Sequence, residues 1–161
     1  MSEATADKLL RVGGKRVLAA LGVRGLTDRA VARPPTGDPF AGPAALALES
    51  CRAGSVLVAD GIPERSLDRL RQRGIAGIVI RSELRGIPVE AGDTILRDRD
   101  GLIVIPTALA EEIAEEAATA IAFEEFTADQ VAQGGGVYGL HIPSGDRAMQ
   151  AFAAWRRMKG R

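Results

Sequence analysis

Val56-Leu57-Val58-Ala59, then Glu64 to Arg73, then Ile75 to Ile80 are the three runs that decide the fold class. The first is a continuous apolar run behind the turn Ala53-Gly54-Ser55, which suits a strand buried on both faces. The second reads as a helix, with Leu67 and Leu70 inward and Arg65, Arg69, Arg71 and Arg73 largely outward. Gly74 stands where a helix C-cap belongs. The third is another buried strand. Strand, short helix, strand is a βαβ unit, so the two strands should be parallel and the class α/β.

Downstream, Ala91-Gly92-Asp93 is a second turn, followed by the strand Thr94-Ile95-Leu96. Arg97-Asp98-Arg99-Asp100-Gly101 is a hairpin turn, and Leu102-Ile103-Val104-Ile105 is its returning strand. A long helix opens at Pro106-Thr107, with Thr107 as its cap and Glu111, Glu112, Glu115 and Glu116 favouring its N-terminal half. Leu109, Ile113, Ala117 and Ile121 form its buried stripe. It runs on through Phe123 and Phe126 toward Val131, and Gly134-Gly135-Gly136 ends it as cap and joint. A terminal helix spans Ser144 or Asp146 to Met158, with Phe152, Trp155 and Met149 on one face. The resulting organisation is a domain over 1–143 and a C-terminal helical arm over 144–161.

Upstream, Ala4 to Leu21 reads as helix, either continuous or broken in two at Gly13-Gly14. Arg33 to Pro43 holds four prolines and two glycines and reads as loop. Ala44 to Glu49 is compatible with helix or strand.

Composition sets the outer limits. The chain has 161 residues, 46% hydrophobic and 26% charged, which is an ordinary globular composition long enough for one core. Its 21 cations balance its 21 acidic residues, so it lacks the basic excess of a general nucleic-acid binder. The balance is uneven along the chain. From Asp100 to Asp146 there are nine acidic residues and no Lys or Arg, which leaves the remainder at plus nine. A solvated acidic helix face accounts for this, or a steering surface for a neighbouring copy. One cysteine and one histidine exclude a disulfide framework, a cysteine zinc finger and a multi-histidine metal site. No apolar run has the length of a membrane span, and no secretory h-region is evident, so a cytoplasmic protein is expected.

Candidate chemistry is sparse. The triple glycine follows a helix rather than a strand, so it does not read as a phosphate cradle. Cys51 has no Cys-His context, and His141 in Gly-Leu-His-Ile-Pro reads as a structural polar residue. Asp60 ends the first strand, and Arg81, Glu83 and Arg85 follow the second. Ligand sites of α/β sheets form at such carboxyl ends. One carboxylate with arginines can bind an oxyacid, and Asp60 with Glu83 could hold Mg²⁺ through water. The competing reading is a turn at Asp60-Gly61 and a solvated loop at Arg81 to Arg85.

The run Gly101-Leu102-Ile103-Val104-Ile105-Pro106, followed by Leu109-Ala110-Glu111-Glu112-Ile113, resembles the RraA-like family. Phe123-Glu124-Glu125-Phe126, Tyr138-Gly139-Leu140 and Phe152-Ala153-Ala154-Trp155-Arg156 extend the resemblance, as do Arg52 to Val58 and Arg73 to Val79. The family includes regulators of RNase E activity and 4-hydroxy-4-methyl-2-oxoglutarate aldolases. The resemblance implies a swivelling-type β/β/α domain, with a central mixed sheet, flanking helices and a C-terminal helical arm. It also implies a homo-oligomer, a trimer first, with sites at subunit interfaces.

Catalytic members of the family bind Mg²⁺ or a similar ion through an Asp that directly follows a substrate-binding Arg. They cleave or decarboxylate 2-keto acids such as 4-hydroxy-4-methyl-2-oxoglutarate or oxaloacetate. The register here gives Arg85 at the Arg position and Gly86 at the Asp position. Pro63 and Glu64 stand near the family's Gly-Gly turn, and the stretch from Arg81 to Glu90 is shorter than the family's. On the catalytic reading, Arg85 and Asp60 carry the chemistry, Arg81 and Arg85 bind substrate, and Asp60 or Glu83 replaces the missing metal ligand. On the alternative reading, the chain is a non-catalytic oligomeric binding or regulatory protein whose partner is another protein. A phosphohistidine-type domain is disfavoured, because no histidine follows Ile80 at the required place.

Overall fold

The computed structural model describes residues 1–32, 37–134 and 146–160. His141, Tyr138 and the second and third glycines of the Gly134 triplet lie outside the described residues. The chain divides into two compact units, Met1–Glu115 and Glu116–Arg161, and the division falls within one long helix.

The first unit is built on a six-stranded mixed sheet in the order β1-β6-β5-β2-β3-β4. Its strands are β1 (Ala30–Ala32), β2 (Phe40–Ala45), β3 (Val56–Ala59), β4 (Gly77–Ile80), β5 (Thr94–Arg97) and β6 (Gly101–Ile105). The expected βαβ unit is present. β3 and β4 are parallel, with Val56 opposite Gly77 and Ala59 opposite Ile80. Between them lie a 3-10 turn over Glu64–Ser66 and the helix α3 (Leu67–Gln72), which buries Leu70. Gly74 follows with φ +67°. β5 and β6 form the expected hairpin, with Thr94 opposite Ile105. The fold is therefore mixed α/β, as the sequence indicates.

β2 corrects one expectation. The stretch from Arg33 to Pro43 reads as loop, yet the strand begins at Phe40 and contains Pro43. Phe40 to Pro43 pair antiparallel with β5, and Ala44 and Ala45 pair parallel with β3. Pro43 stands at the changeover. The bonds to the neighbouring turn are made by Ala44, whose N–H donates to Asp93 O and whose carbonyl accepts from Gly92 N–H. The missing N–H of Pro43 therefore falls where one pairing ends and before the next begins. The open choice over Ala44 to Glu49 resolves into the end of this strand and a 3-10 turn at Leu48–Ser50.

β4 corrects a second. It is the last strand of the sheet, and Val79 is its one fully buried residue. The apolar run is explained by cover on one side, because Ile75 and Ile78 pack with Leu57, Leu70 and Cys51 under α3. Strand alternation separates this layer from the main core. Val56, Val58, Val79, Ile95, Leu102 and Val104 gather on the opposite face with Val31, Phe40 and Leu84. Val31 belongs to one end of the sheet and Leu84 lies just beyond the other. The sheet curls until its ends meet around this core.

The region over Ala4 to Leu21 forms two helices, α1 (Glu3–Val12) and α2 (Gly14–Val23). Gly13 sits between them with φ +79°, a conformation that side chains resist. The β5–β6 hairpin holds the second helix in place. Gly14 N–H donates to Asp98, and Lys15 N–H donates to Asp100. Two carboxylates thus face the positive end of α2.

The long helix α4 (Ala110–Ala132) follows a 3-10 turn at Thr107–Leu109. Thr107 does not cap it. Its own N–H instead donates to the buried Asp93 carboxylate at 3.1 Å, so the cap is borrowed from the preceding turn. Ala110, Ile113, Ala114 and Ala117 are buried, while Leu109 and Ile121 are only half-buried.

In the second unit, α5 (Asp146–Met158) packs Phe152 and Trp155 against Ala122, Phe123 and Phe126 of α4. Phe123 and Phe152 meet edge-on at 5.5 Å. Met149 does not join them and remains 45% exposed.

Candidate functional site

The parallel pair β3–β4 places its following residues at one end of the sheet, where α/β proteins bind ligands. Asp60 directly follows β3, and a 3-10 turn over Arg81–Leu84 directly follows β4. Asp60 and Arg81 are brought together. Arg81 Nε lies 3.4 Å from Asp60 Oδ1, and the carboxylate is 89% exposed. An ion pair this exposed orients two side chains but contributes little stability.

Glu83 turns back on its own backbone. Its Oε1 accepts the Ile80 N–H at 3.2 Å and so closes the turn that ends β4. Oε2 is buried and has no hydrogen-bond partner among the described residues. Leu84 anchors the turn in the core. Arg85 ends it in the left-handed region at φ 49°, with its side chain exposed, and Gly86 continues at φ 89°. Arg81 and Arg85 thus stand on one short turn, each exposed, with Asp60 across from the first.

These residues do not fit a Mg²⁺ centre. Mg²⁺ keeps several of its waters and binds through one or two accessible carboxylates. Gly86 offers no side-chain oxygen at the position where the resemblance requires one. Asp60 is accessible, but the Arg81 guanidinium beside it opposes a second cation, while one oxygen of Glu83 holds Ile80 and the other is closed off from water. No group of three or more metal-ligating side chains occurs among the described residues.

Cys51 is 2% exposed beneath α3, and burial pushes its thiol above the ordinary value. That is a packing residue rather than a nucleophile.

The sequence reading missed Asp93. It appears there only as the third residue of a turn, yet its carboxylate accepts N–H groups from both Glu90 and Thr107. The Gly-Asp turn just before a strand was the available signal. Its second partner lies 14 residues on and carries no local mark.

No family model matches the sequence, and no curated protein matches it. Solved structures match the fold. A Streptomyces coelicolor protein, described as an unusual member of the RNase ES inhibitor RraA protein family, superposes with a TM-score of 0.59. It shares 21% identity, over 80% of this chain and 97% of that one. An uncharacterized protein from Pseudomonas syringae pv. tomato matches at 0.55 with 16% identity, over 85% and 96% of the two chains. A protein described among novel cellulases from gut-associated microbes matches at 0.59 with 12% identity, over 78% and 87%. The fold is thus RraA-like, in keeping with the motif resemblance.

Proposed function

We propose that this RraA-like chain is a non-catalytic binding protein of the ribonuclease-regulator type, acting by docking to a protein partner. One observation carries the reading. At the strand ends where a catalytic relative needs an Arg-Asp pair, this chain has Arg85-Gly86, Glu83 is turned onto the Ile80 N–H, and Asp60 stands beside the Arg81 guanidinium. The fold shared with a described RNase ES inhibitor relative supports the regulatory direction. Assembly with copies of itself, a trimer first, belongs to the same proposal.

A second reading has one observation in its favour. Asp60 pairs with Arg81 at the strand ends, Arg85 ends the turn that Arg81 opens, and two exposed guanidinium groups suit the carboxylate of a 2-keto acid. On that reading the chain is a metal-dependent aldolase or decarboxylase, with Mg²⁺ as its cofactor.

A pyruvate-release assay separates the two. Oxaloacetate and 4-hydroxy-4-methyl-2-oxoglutarate are offered with and without Mg²⁺, beside a cleavage assay with an RNase E-type endonuclease. We expect pyruvate release at the metal-only background and slowed RNA cleavage. Metal-dependent turnover that Arg85→Ala abolishes establishes the enzyme reading instead. Light scattering at micromolar concentration and low salt checks the assembly, and a monomer removes that part.

A further inference from the structure

The outer face of the βαβ unit carries a row of arginines. α3 runs back between two parallel strands, so it leads from the strand ends beside Asp60 and Arg81 to the turn before β4. Arg65, Arg69 and Arg73 fall along it at four-residue intervals, each about one turn beyond the last and each exposed. Arg65 and Arg69 have no hydrogen bond or ion pair among the described residues. Asp68 lies 3.5 Å from Arg71, and Glu64 is the other acid of the stretch. Residues 64–73 thus carry four arginines against two carboxylates.

At the far end of the row, two guanidinium groups are fixed by the backbone. Arg73 Nη1 donates to Leu48 O at 2.6 Å. Arg52 Nη1 donates to Glu49 O at 3.1 Å and to Cys51 O at 3.3 Å. Both arginines thus converge on the 3-10 turn over Leu48–Ser50. Carbonyl oxygens orient a guanidinium without cancelling its charge, so these two cations are exposed and already ordered. Glu49 is exposed on the same turn and makes no ion pair with either among the described residues. Leu46 and Leu48 stand beside them, 38% and 37% exposed. Ordered arginines next to accessible apolar side chains are what a protein interface is enriched in, and neither feature alone marks one.

We propose that this face docks an extended acidic segment of a partner polypeptide, with carboxylates on the arginine row and an apolar residue against Leu46 and Leu48. On the docking reading, which this inference rests on, the partner's binding segment is therefore acidic. Spacing fits that occupant. Residues one turn apart on a helix rise by about 6 Å, and alternate side chains of an extended chain by about 6.7 Å, a difference that long side chains absorb. The planar fork of arginine also suits carboxylates better than a lysine point charge does. Single-stranded nucleic acid is the rival polyanion. Its bases bind by stacking on aromatic rings, and every described aromatic side chain is buried.

The test is fluorescence anisotropy with a labelled peptide of glutamates ending in a leucine pair, beside its arginine counterpart and an oligouridylate. The full chain, Arg65→Gln/Arg69→Gln and a control pair Arg11→Gln/Arg99→Gln that removes the same charge elsewhere are compared. Circular dichroism is recorded for each. We expect the glutamate peptide to bind, weakening by about tenfold in Arg65→Gln/Arg69→Gln and little in the control pair, with the fold unchanged. Serines in place of the peptide's leucines should weaken it too. Absence of binding, or equal loss in both double variants, overturns the proposal. Tighter binding of oligouridylate than of the peptide also overturns it, because the occupant is then a nucleic acid. The RNA-cleavage assay above is repeated with the same variants. Slowing that survives in Arg65→Gln/Arg69→Gln overturns this surface and leaves the docking reading standing. No slowing by the unaltered chain, with peptide binding intact, overturns the ribonuclease-regulator reading and not this surface.

Discussion

Gly42 shows how much a single position can hide. A Cβ placed there would lie 2.1 Å from the carbonyl oxygen of Gly54 and 3.1 Å from Val56. The obstacle is backbone, so no side-chain rotation relieves it. Gly42→Ala should destabilise the chain by about 2–3 kcal/mol, seen as a lower urea midpoint with an unchanged slope. An unchanged midpoint would show that β2 and the turn before β3 separate freely. Nothing around Gly42 announces this, because its reason lies in a turn 12 residues away and its own surroundings are rich in proline. Gly86 is the reverse case. Its lack of a side-chain oxygen is plain in the sequence, and it bears directly on the candidate site. Asp60 and Arg81 fall between the two. Their placement at strand ends follows from the βαβ reading, but their pairing needs the three-dimensional register of β3 against β4.

Among the secondary-structure elements, the strands and helices with local causes could be read directly, and those with distant causes could not. The β5–β6 hairpin, α3 and the break at Gly13 each follow from neighbours in sequence. β2 needed β5, whose residues lie some fifty positions on, to turn a proline-containing stretch into a strand. The pairing of α4 with α5 was visible only as an aromatic face. What fixes it is a polar contact at its rim, where the Trp155 indole N–H donates to Asp129 at 2.8 Å and Lys159 lies 3.2 Å from the same carboxylate. The hydrogen bond from Trp155, followed by that from Lys159, holds the Asp129 carboxyl below its ordinary value. A depressed carboxyl contributes stability that is complete above the unfolded-state value and is lost as pH falls through the folded-state one. Trp155 emission should therefore stay constant from neutral pH down to the ordinary aspartate range and shift only below it. Asp129→Asn should flatten that acid transition. A shift centred at or above the ordinary aspartate value would disprove the assignment.

The two compact units carry very different cores. The first surrounds a six-stranded sheet, and the second rests on a small cluster from two helices. A core that small has little stability of its own. The lone tryptophan belongs to the second unit and the lone cysteine to the first, so each unit has a private reporter. Under increasing urea, Trp155 emission should change before Cys51 becomes accessible to iodoacetamide at pH 8. Coincident curves would mean one cooperative transition. The changeover at Pro43 also has a kinetic consequence. β2, β3 and β4 can associate over short separations, and β5 with β6 over a single turn. Joining the two groups requires Phe40 to find Arg97, and the entropy of closing that large loop comes due before the pairing rewards it. The seam along β2, with the still longer closure of β1 onto β6, is therefore expected to slow folding through its contact order rather than through its stability.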